Sequence, residues 1–441
     1  MDYVKFFSEM SLHRKLSPFK TYRNKKHFER ILNLFRDKYF RDNLLITLMK
    51  SRILALTSIS HFINDGNTWF FPVTFTYLII YLGLTKIIIG ILSGVFFFGI
   101  SALTAPFVSR IADRTRNYSG LMGLGILLWG LSLILFGFSL KIHSIPLVFF
   151  SVALAGFSST FYHPLGGAML SITYQGSAGF ALGVNGSMGS LGRALYPTLT
   201  LILFAILHND MILASVILGI VSVIASLPSF FLKIKLDDPK QSEVKKETVS
   251  KTTMSIIILL TITAFLRSVF GQGISQFLPT LLVEDYGYSY NVNLGEAISI
   301  ALAAAIVGQP ILGLLSDRYG RRLLYAISTL GAALSILVFL RIPNEALLVI
   351  FGFFNFSAFP LMLSLVGDFV PRNSSGFANS LVWGLGVTGG GAVGPVVVGA
   401  ISQFTNLVFA SEIVSIMAFI AFALTLLLPK PPRRSKVPLF G

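Results

Sequence analysis

Across 441 residues, 54% are hydrophobic and only 12% are charged, whereas soluble domains carry about 25% charged residues. This composition excludes a water-soluble fold, and the absence of cysteine excludes disulfides, cysteine-ligated metals and thiol nucleophiles. The formal net charge of +16 does not indicate a nucleic-acid partner. Residues 1–52 alone hold 13 Lys and Arg against 5 Asp and Glu, which is typical of a basic cytoplasmic tail on a membrane protein.

Residues 1–52 are predicted to form this cytoplasmic tail. Within it, apolar residues recur at helical spacing between basic residues: Phe28, Ile31, Leu32, Phe35, Tyr39 and Phe40. The pattern indicates an amphipathic helix that lies on an anionic lipid leaflet. A solvated tail without fixed structure explains the same composition nearly as well.

Twelve apolar blocks follow, and many reach the roughly 20 residues that span a bilayer as a helix. Helices are required because an open strand leaves backbone groups unpaired in lipid. The predicted fold class is an all-α polytopic membrane protein with twelve transmembrane helices. The blocks cover residues 53–82, 86–108, 119–140, 145–173, 177–207, 211–233, 253–283, 293–315, 322–341, 345–370, 376–404 and 407–429.

A polar stretch divides these blocks six and six. We predict an N-terminal half at 53–233, a cytoplasmic linker at 234–252, a C-terminal half at 253–429 and a cytoplasmic C-terminal tail at 430–441. Segments on the side of the N-terminus hold 30 Lys and Arg, and the opposite loops hold 3. Because cytoplasmic loops are rich in these residues, both termini are predicted to lie in the cytoplasm, with the chain in the plasma membrane.

The two halves also repeat one another in sequence. Matching residues recur at shifts of 197 to 207 positions: Asp113 with Asp317, Arg114 with Arg318, Gly189 with Gly386, Gly192 with Gly389, and Pro72 with Pro279. Two pseudo-symmetric halves with a binding site between them near the membrane midplane are a common transporter architecture.

One loop carries the strongest motif of the chain. It runs from Gly313 through Asp317-Arg318 to Gly320-Arg321-Arg322. Gly313 permits close helix approach and Gly320 permits a tight turn. This loop resembles the signature loop of the major facilitator superfamily. The resemblance implies a latch for one conformation of alternating access, formed by Asp113, Arg114, Gly313, Asp317, Arg318, Gly320 and Arg321. Anchoring of the loop by its positive charges is the simpler alternative.

Three shorter motifs resemble the fosmidomycin-resistance branch of that superfamily, over about residues 52 to 429. They are the segment from His61 to Asp65, the segment from Gly156 to Pro164, and the glycine-rich segment from Gly186 to Gly192. The resemblance implies proton-coupled drug efflux. Leu165 follows His163-Pro164 at a point where that branch carries an acidic residue.

Ionisable groups inside a membrane are costly and mark functional sites. His61, Asn64 and Asp65 share one face of the first predicted helix. Asp65 lies about 18 Å along that helix from residue 53, close to mid-bilayer. A carboxylate there can load and release a proton, so Asp65, His61 and His163 are predicted to couple protons. A structural Asp65, and a neutral His163 bonded to a neighbour, are the alternatives.

Other polar and aromatic groups at this depth are candidates for substrate binding: Asn64, Trp69, Tyr162, Arg193, Arg267 and Gln272. Arg267 keeps its proton, so it either clamps an anionic substrate or pairs with Asp65. Gln272 aligns with Asp65 between the halves and either binds substrate or joins helices. Any single aromatic residue also suits core packing.

Glycines of the fifth and eleventh helices are predicted to allow close helix packing. They are Gly189, Gly192, Gly386, Gly389 and Gly390. The resemblance further implies that these helices slide against the opposite half. Static packing explains the glycines without sliding.

The expected function is secondary active transport of a small solute. Two arginines and two histidines against one deep carboxylate favour an anionic or zwitterionic solute, with proton-coupled efflux by an antiporter as the first hypothesis. Proton-coupled uptake of a sugar or organic acid, and a membrane sensor with a transporter fold, are the alternatives. No nucleotide loop, metal cluster or nucleophile-base pair occurs at recognisable spacing. We therefore expect a monomer that is not an enzyme, with no metal or cofactor, driven by a proton gradient.

Overall fold

The structure is a computed structural model that describes residues 38–174, 177–232, 250–370 and 375–430, with side chains from residue 47 onward except those of 375–377. Twelve helices of membrane length and no strand occur in these ranges, so the predicted all-α fold is confirmed. Their bounds are α1 Lys38–Leu82, α2 Lys86–Thr115, α3 Tyr118–Lys141, α4 Ile145–Tyr174, α5 Ala178–Ile206, α6 Met211–Phe231, α7 Lys251–Glu284, α8 Val292–Tyr319, α9 Arg321–Phe339, α10 Glu345–Phe369, α11 in three consecutive segments (Ser375–Leu381, Val382–Thr388 and Gly389–Phe404), and α12 Leu407–Leu427.

The first helix starts earlier than the sequence predicts. It already includes Lys38, well before the predicted start at residue 53, and no glycine or proline interrupts the chain between Lys38 and Asp65. Most of the predicted amphipathic pattern at 28–40, most of the linker and nearly all of the C-terminal tail lie outside the described residues.

Within the described ranges, eleven helices are long and apolar enough to cross a membrane, which makes the chain a multi-pass membrane protein. The helix α1 is not among them. Its buried polar residues His61, Asn64, Asp65 and Asn67 lower the hydropathy of its middle. Such residues persist in a spanning helix when they are paired inside the protein or used in function.

Polar side chains in the short connections fix where several helices begin. Asn117 accepts a hydrogen bond from the amide of Gly120 at 3.1 Å, and Asp210 accepts from the amides of Ile212 and Leu213. The same role is played at the starts of α7, α8, α10 and α12 by Ser250, Asn291, Asn344 and Asn406. These caps satisfy amide groups that have no partner within the helix.

Each half is a bundle of closely packed helices. In the first half α3 packs on α4 and α6, and in the second half α10 packs on α8 and α9 while α7 packs on α11 and α12. Gly130 of α3 and Gly219 of α6 face each other. A methyl group on Gly130 would lie 2.6 Å from the carbonyl oxygen of Gly219, and one on Gly219 would lie 2.7 Å from that of Gly130. This contact requires the absence of side chains.

The two halves meet through α2 with α11 and through α5 with α8. Here a methyl group on Gly94 would lie 2.3 Å from the carbonyl oxygen of Ala392, and one on Gly295 would lie 2.9 Å from that of Pro197. The predicted glycines pack elsewhere: Gly189 and Gly192 contact α1, and Gly386 and Gly390 contact α7, each inside its own half. A methyl group on Gly389 would meet nothing closer than 3.7 Å. In this conformation other glycines than those predicted lie at the contact between the halves, and the sliding implied by the resemblance stays a prediction.

The inter-half contacts concentrate at one end of the bundle, the end that carries the α1–α2 and α7–α8 connections. We call it the sealed end. There Thr76 and Thr280 share a hydrogen bond of 2.8 Å, Thr198 and Ser299 one of 2.7 Å, and Lys86 forms an ion pair of 2.7 Å with Glu284.

Space remains at the opposite end, which carries the α2–α3 and α8–α9 connections and which we call the open end. Added methyl groups there would meet no described atom within 4 Å at Gly167, Gly183, Gly186, Gly313, Gly367 and Gly384. The predicted close helix approach at Gly313 is therefore wrong for this conformation. The halves are closed at one end and apart at the other.

Two helices at the inter-half contact contain π-helical segments, Leu92–Gly99 in α2 and Val382–Thr388 in α11. Such segments shift the register of side chains within a helix and are frequent at functional sites. One of these residues, Trp383, lies between the two charged sites described below.

Candidate functional site

Asp65 lies in the middle of α1 and is the centre of a buried polar cluster of the first half. Its side chain is only 4% exposed, and its Oδ2 accepts a hydrogen bond of 3.0 Å from Nη1 of Arg193 on α5. The imidazole Nε2 of His61, one helical turn earlier, lies 3.3 Å from Oδ2, and Nε2 of His163 on α4 lies 3.5 Å from Oδ1. The structure therefore joins all three predicted proton-coupling residues, and adds Arg193 as the counter-charge.

The ring of His61 is fixed on its other side. Its Nδ1 lies 2.8 Å from the carbonyl oxygen of Asn185, and the ring stacks on Tyr162 with 4.5 Å between centroids. A carbonyl oxygen only accepts hydrogen bonds, so Nδ1 must carry a proton. In a neutral His61 the lone pair of Nε2 then faces the carboxylate of Asp65. One further proton between Nε2 of His61 and Oδ2 of Asp65 would turn this contact into a favourable hydrogen bond.

Asn64 orients the same carboxylate. Its amide nitrogen donates to Oδ1 of Asp65 at 2.9 Å, and its amide oxygen accepts from Nε1 of Trp129 at 2.9 Å. Because the indole is purely a donor, Trp129 determines which way the amide points. Both ends of Asn64 are thus engaged in this conformation, where it positions the carboxylate, and its predicted contact with substrate stays a prediction.

Three members of this cluster were missed by the sequence reasoning. Trp129 is fully buried in the apolar helix α3, Asn185 stands in the glycine-rich part of α5, and Ser190 accepts a hydrogen bond of 2.9 Å from Nη2 of Arg193. In the sequence, each of them is marked only as a polar or amphipathic residue within an otherwise apolar block.

Solvent reaches the cluster from the side of α4 and α5. The side chain of His163 is 46% exposed and that of Arg193 is 26% exposed, whereas His61 and Asp65 are nearly enclosed. Tyr162, a predicted substrate ligand, donates its hydroxyl proton to Asn185 at 2.7 Å and is buried. His163 is therefore the most accessible member of the cluster, while Tyr162 supports the ring of His61.

His61, Asp65 and His163 also place their ligating atoms within 4.8 Å of one another, a spacing that a metal ion could use. The scattered histidines in the sequence gave no indication of this grouping. The guanidinium of Arg193 already neutralises the carboxylate and occupies its Oδ2. The donor set therefore suits a proton better than a divalent cation.

Arg267, the buried cation of the second half, has different surroundings. Its Nη2 donates to the carbonyl oxygen of Asn355 at 2.5 Å, and its guanidinium lies 5.3 Å from the ring centre of Phe359 and 5.9 Å from that of Tyr325. Among the described residues no carboxylate lies within ion-pair distance of it. The predicted pairing with Asp65 is absent in this conformation, because Arg193 takes that place.

The remaining candidates sit where the halves approach. Trp69 is buried and packs edge-on against Phe356 at 5.5 Å. Gln272 is half-buried near Gly391. One turn later, Gln276 accepts a hydrogen bond of 2.9 Å from Ser93 across the interface. Of the two glutamines, Gln276 joins the halves and Gln272 stays available for a ligand.

The predicted latch is assembled in the second half. Arg321 donates to Asp368 at 2.6 Å and to Asp317 at 3.3 Å. Gly320 has φ +102°, so the tight turn requires glycine as predicted. Arg318 lies over the ring of Tyr319 at 5.4 Å. In the first-half copy Asp113 and Arg114 are exposed, and no ion pair of Asp113 occurs among the described residues. The two copies are therefore not equivalent.

Comparison with known proteins gives the same architecture. The family model described as Major Facilitator Superfamily matches residues 57–382 and 260–441. A bacterial homologue of the human lysosomal transporter Spinster, solved in an inward-facing and unoccupied conformation, has a TM-score of 0.72 at 15% identity, over 86% of this chain and 97% of that chain. The nucleoside transporter NupG has a TM-score of 0.64 at 16% identity, over 86% and 98%.

Curated relatives match shorter stretches. The multidrug resistance protein MdtG of Proteus mirabilis is 31% identical over 35% of this chain and 41% of the relative. The cis,cis-muconate transport protein of Acinetobacter baylyi is 25% identical over 40% and 45%, and the efflux pump PmrA of Streptococcus pneumoniae is 29% identical over 35% and 41%. Each match spans less than half the relative's length. With its twelve helices and two halves, this chain belongs to the Major Facilitator Superfamily, a family of transporters and not of enzymes.

Proposed function

We propose that this protein is a proton-coupled secondary transporter of a small anionic solute, working by alternating access in the plasma membrane with both termini cytoplasmic. The observation that carries the proposal is the geometry around Asp65. A buried carboxylate faces the unprotonated nitrogen of His61 and is paired with Arg193. Ionisable groups placed together within a membrane are costly, and proton relays in transporters are built from them.

The cluster couples a proton to an anion through Arg193. When Asp65 is ionised, the guanidinium is held by the carboxylate and by Ser190. A proton on the pair of Asp65 and His61 removes that negative charge and leaves Arg193 with a net charge to satisfy. This unbalanced positive charge favours the binding of an anionic solute between the halves. Proton and anion therefore bind together, which favours cotransport and hence uptake where protons flow inward.

Efflux by antiport is the second candidate, and it was the first hypothesis from the sequence. It is supported by the similarity to MdtG and PmrA, which are named for multidrug resistance and efflux. For a cationic drug the charge relation is reversed, since proton and drug compete for the ionised Asp65. The solute class therefore decides between the two modes.

Purified protein in liposomes with a pH dye in the lumen separates these modes. Cotransport predicts that an organic anion added outside acidifies the lumen, whereas antiport predicts that a cationic drug makes it alkaline. A panel of organic acids and cationic drugs that produces no protein-dependent pH change would contradict proton coupling and favour a sensor.

A further inference from the structure

The strongest unexplained feature of the described chain is a group of buried polar atoms without partners in the second half. They are Nε of Arg267, Oδ1 of Asn355 and the hydroxyl of Tyr325. Their residues are at most 3% exposed. Buried polar groups are normally hydrogen-bonded, and a charge without a counter-charge is far more costly than a neutral group. Three such atoms on the packed helices α7, α9 and α10, one of them on a buried cation, indicate that a ligand belongs there.

The charge of this site points to an anion. Arg267 makes a single hydrogen bond to the described residues, through Nη2 to a backbone carbonyl. Its Nε is a further donor that has no acceptor among the described residues. A carboxylate suits this group because guanidinium and carboxylate pair through two parallel hydrogen bonds.

The surroundings of Arg267 indicate that the ligand also has an apolar part. Phe359 flanks the guanidinium at 5.3 Å, Trp383 lies 5.9 Å from Phe359, and His163 lies 6.3 Å from Trp383 between ring centres. These rings form an aromatic path from Arg267 in the second half to the cluster around Asp65 in the first. Phe359 and Trp383 are only half-buried, so planar apolar groups can stack against them.

We infer that Arg267 binds the carboxylate of the transported solute, and that Phe359 and Trp383 bind an aromatic body that extends toward His163 and Asp65. The inference rests on the proposed function and gives its anion a chemical class, an aromatic carboxylate. It also separates two roles, since Arg267 holds the solute in the second half while Asp65 holds the proton in the first.

Binding to the purified full-length protein tests this directly. The probes are benzoate, phenylacetate, cinnamate and 1-naphthoate, with their neutral amides, acetate and chloride as comparisons, read by thermal shift and calorimetry at millimolar concentration. The aromatic carboxylates are expected to raise the melting temperature. Their amides, acetate and chloride are expected to have little effect. Equal stabilisation by the amides or by chloride, or none by any aromatic carboxylate, would overturn the assignment.

Variants locate the site. Arg267→Gln is expected to weaken binding about tenfold or more, as loss of a charged hydrogen bond does. Asn355→Asp keeps the cation and supplies an internal carboxylate on the residue that Arg267 already contacts. It should fold at least as stably as the wild type and lose carboxylate binding. Arg341→Gln removes a cation whose side chain is 71% exposed and should bind normally. Normal binding in Arg267→Gln and Asn355→Asp would place the carboxylate elsewhere.

The outcome of the binding experiment is independent of the outcome of the transport assay. Carboxylate binding that depends on Arg267, with no proton flux in liposomes, would contradict the proton coupling and leave the binding site in place. Proton flux driven by solutes that never require Arg267 would support the coupling and reject the aromatic carboxylate site.

Discussion

Nε2 of His61 lies 3.3 Å from Oδ2 of Asp65, while Nδ1 of the same ring is held 2.8 Å from the carbonyl oxygen of Asn185. The contact with Asn185 requires a proton on Nδ1, so Nε2 of the neutral ring is unprotonated. A further proton can then lie between Nε2 of His61 and Oδ2 of Asp65. Arg193 on the same carboxylate links this proton to the charge of the site.

The position of the His61 ring depends on Gly189. A methyl group there would lie 2.2 Å from Nε2, whereas one on Gly186 would meet no described atom within 4 Å. Gly189→Ala is expected to displace the ring and to reduce proton-driven flux at least tenfold. Gly186→Ala should keep the flux and gain up to about 1 kcal/mol from helix propensity. Equal flux in both variants in liposomes would show that the ring position does not matter.

The ion pair between Asp65 and Arg193 predicts non-additive stabilities. Arg193→Gln leaves a buried carboxylate without its cation and is expected to cost about 3–5 kcal/mol of unfolding free energy. In the double variant with Asp65→Asn that charge is gone, so the additional cost should largely disappear. Chemical unfolding of the four proteins provides the cycle. Additive losses would mean that the pair contributes nothing beyond its separate contacts.

The sealed end must open during transport. Because the chain has no cysteine, a pair introduced as Thr76→Cys and Thr280→Cys can be cross-linked without competing thiols. The cross-link joins the halves where the hydroxyls are 2.8 Å apart and is expected to stop flux until reductant is added. A matched pair at Ser101 and Ser159, 3.0 Å apart within the first half, should be tolerated. Flux through the cross-linked Thr76 and Thr280 pair would contradict rocking of the halves.

The two signature loops are expected to differ in importance. Arg321 is tied to Asp368 and Asp317, whereas Arg114 is exposed. Arg321→Gln should slow transport several-fold while aromatic carboxylate binding stays normal, since the latch touches no solute. Arg114→Gln should have little effect. Initial rates in liposomes, compared at equal protein density, would reject the latch if both variants behaved alike.

Much of the fold is predictable from the sequence, because a segment that spans a lipid bilayer must be helical and mostly apolar. Uninterrupted apolar blocks predict where helices lie, and the shift between Asp113 and Asp317 predicts two halves. The extension of α1 back to Lys38 was missed because the chain there is polar yet contains no helix breaker. The π-helical segments Leu92–Gly99 and Val382–Thr388 were not predictable from local composition.

The site was predictable in part. His61 and Asp65 share a helix face, so their spacing alone brings them together. The place of Arg193 beside Asp65 requires α1 and α5 to pack side by side, which one sequence does not reveal. The bond between Asn64 and Trp129 was not predictable, because Trp129 lies 65 positions away on an otherwise apolar helix. The absence of a carboxylate partner for Arg267 among the described residues likewise becomes visible only when its neighbours are placed.

Proton flux through Asp65→Asn in liposomes is the most direct test of the proposed coupling. The variant keeps the shape of the side chain and its hydrogen bond from Asn64, but it cannot bind or release a proton. With an imposed pH gradient, it is expected to show no gradient-driven accumulation of solute, while exchange of solute for solute and the unfolding transition stay close to wild type. Full gradient-driven accumulation by Asp65→Asn would contradict the role of this carboxylate as the proton carrier.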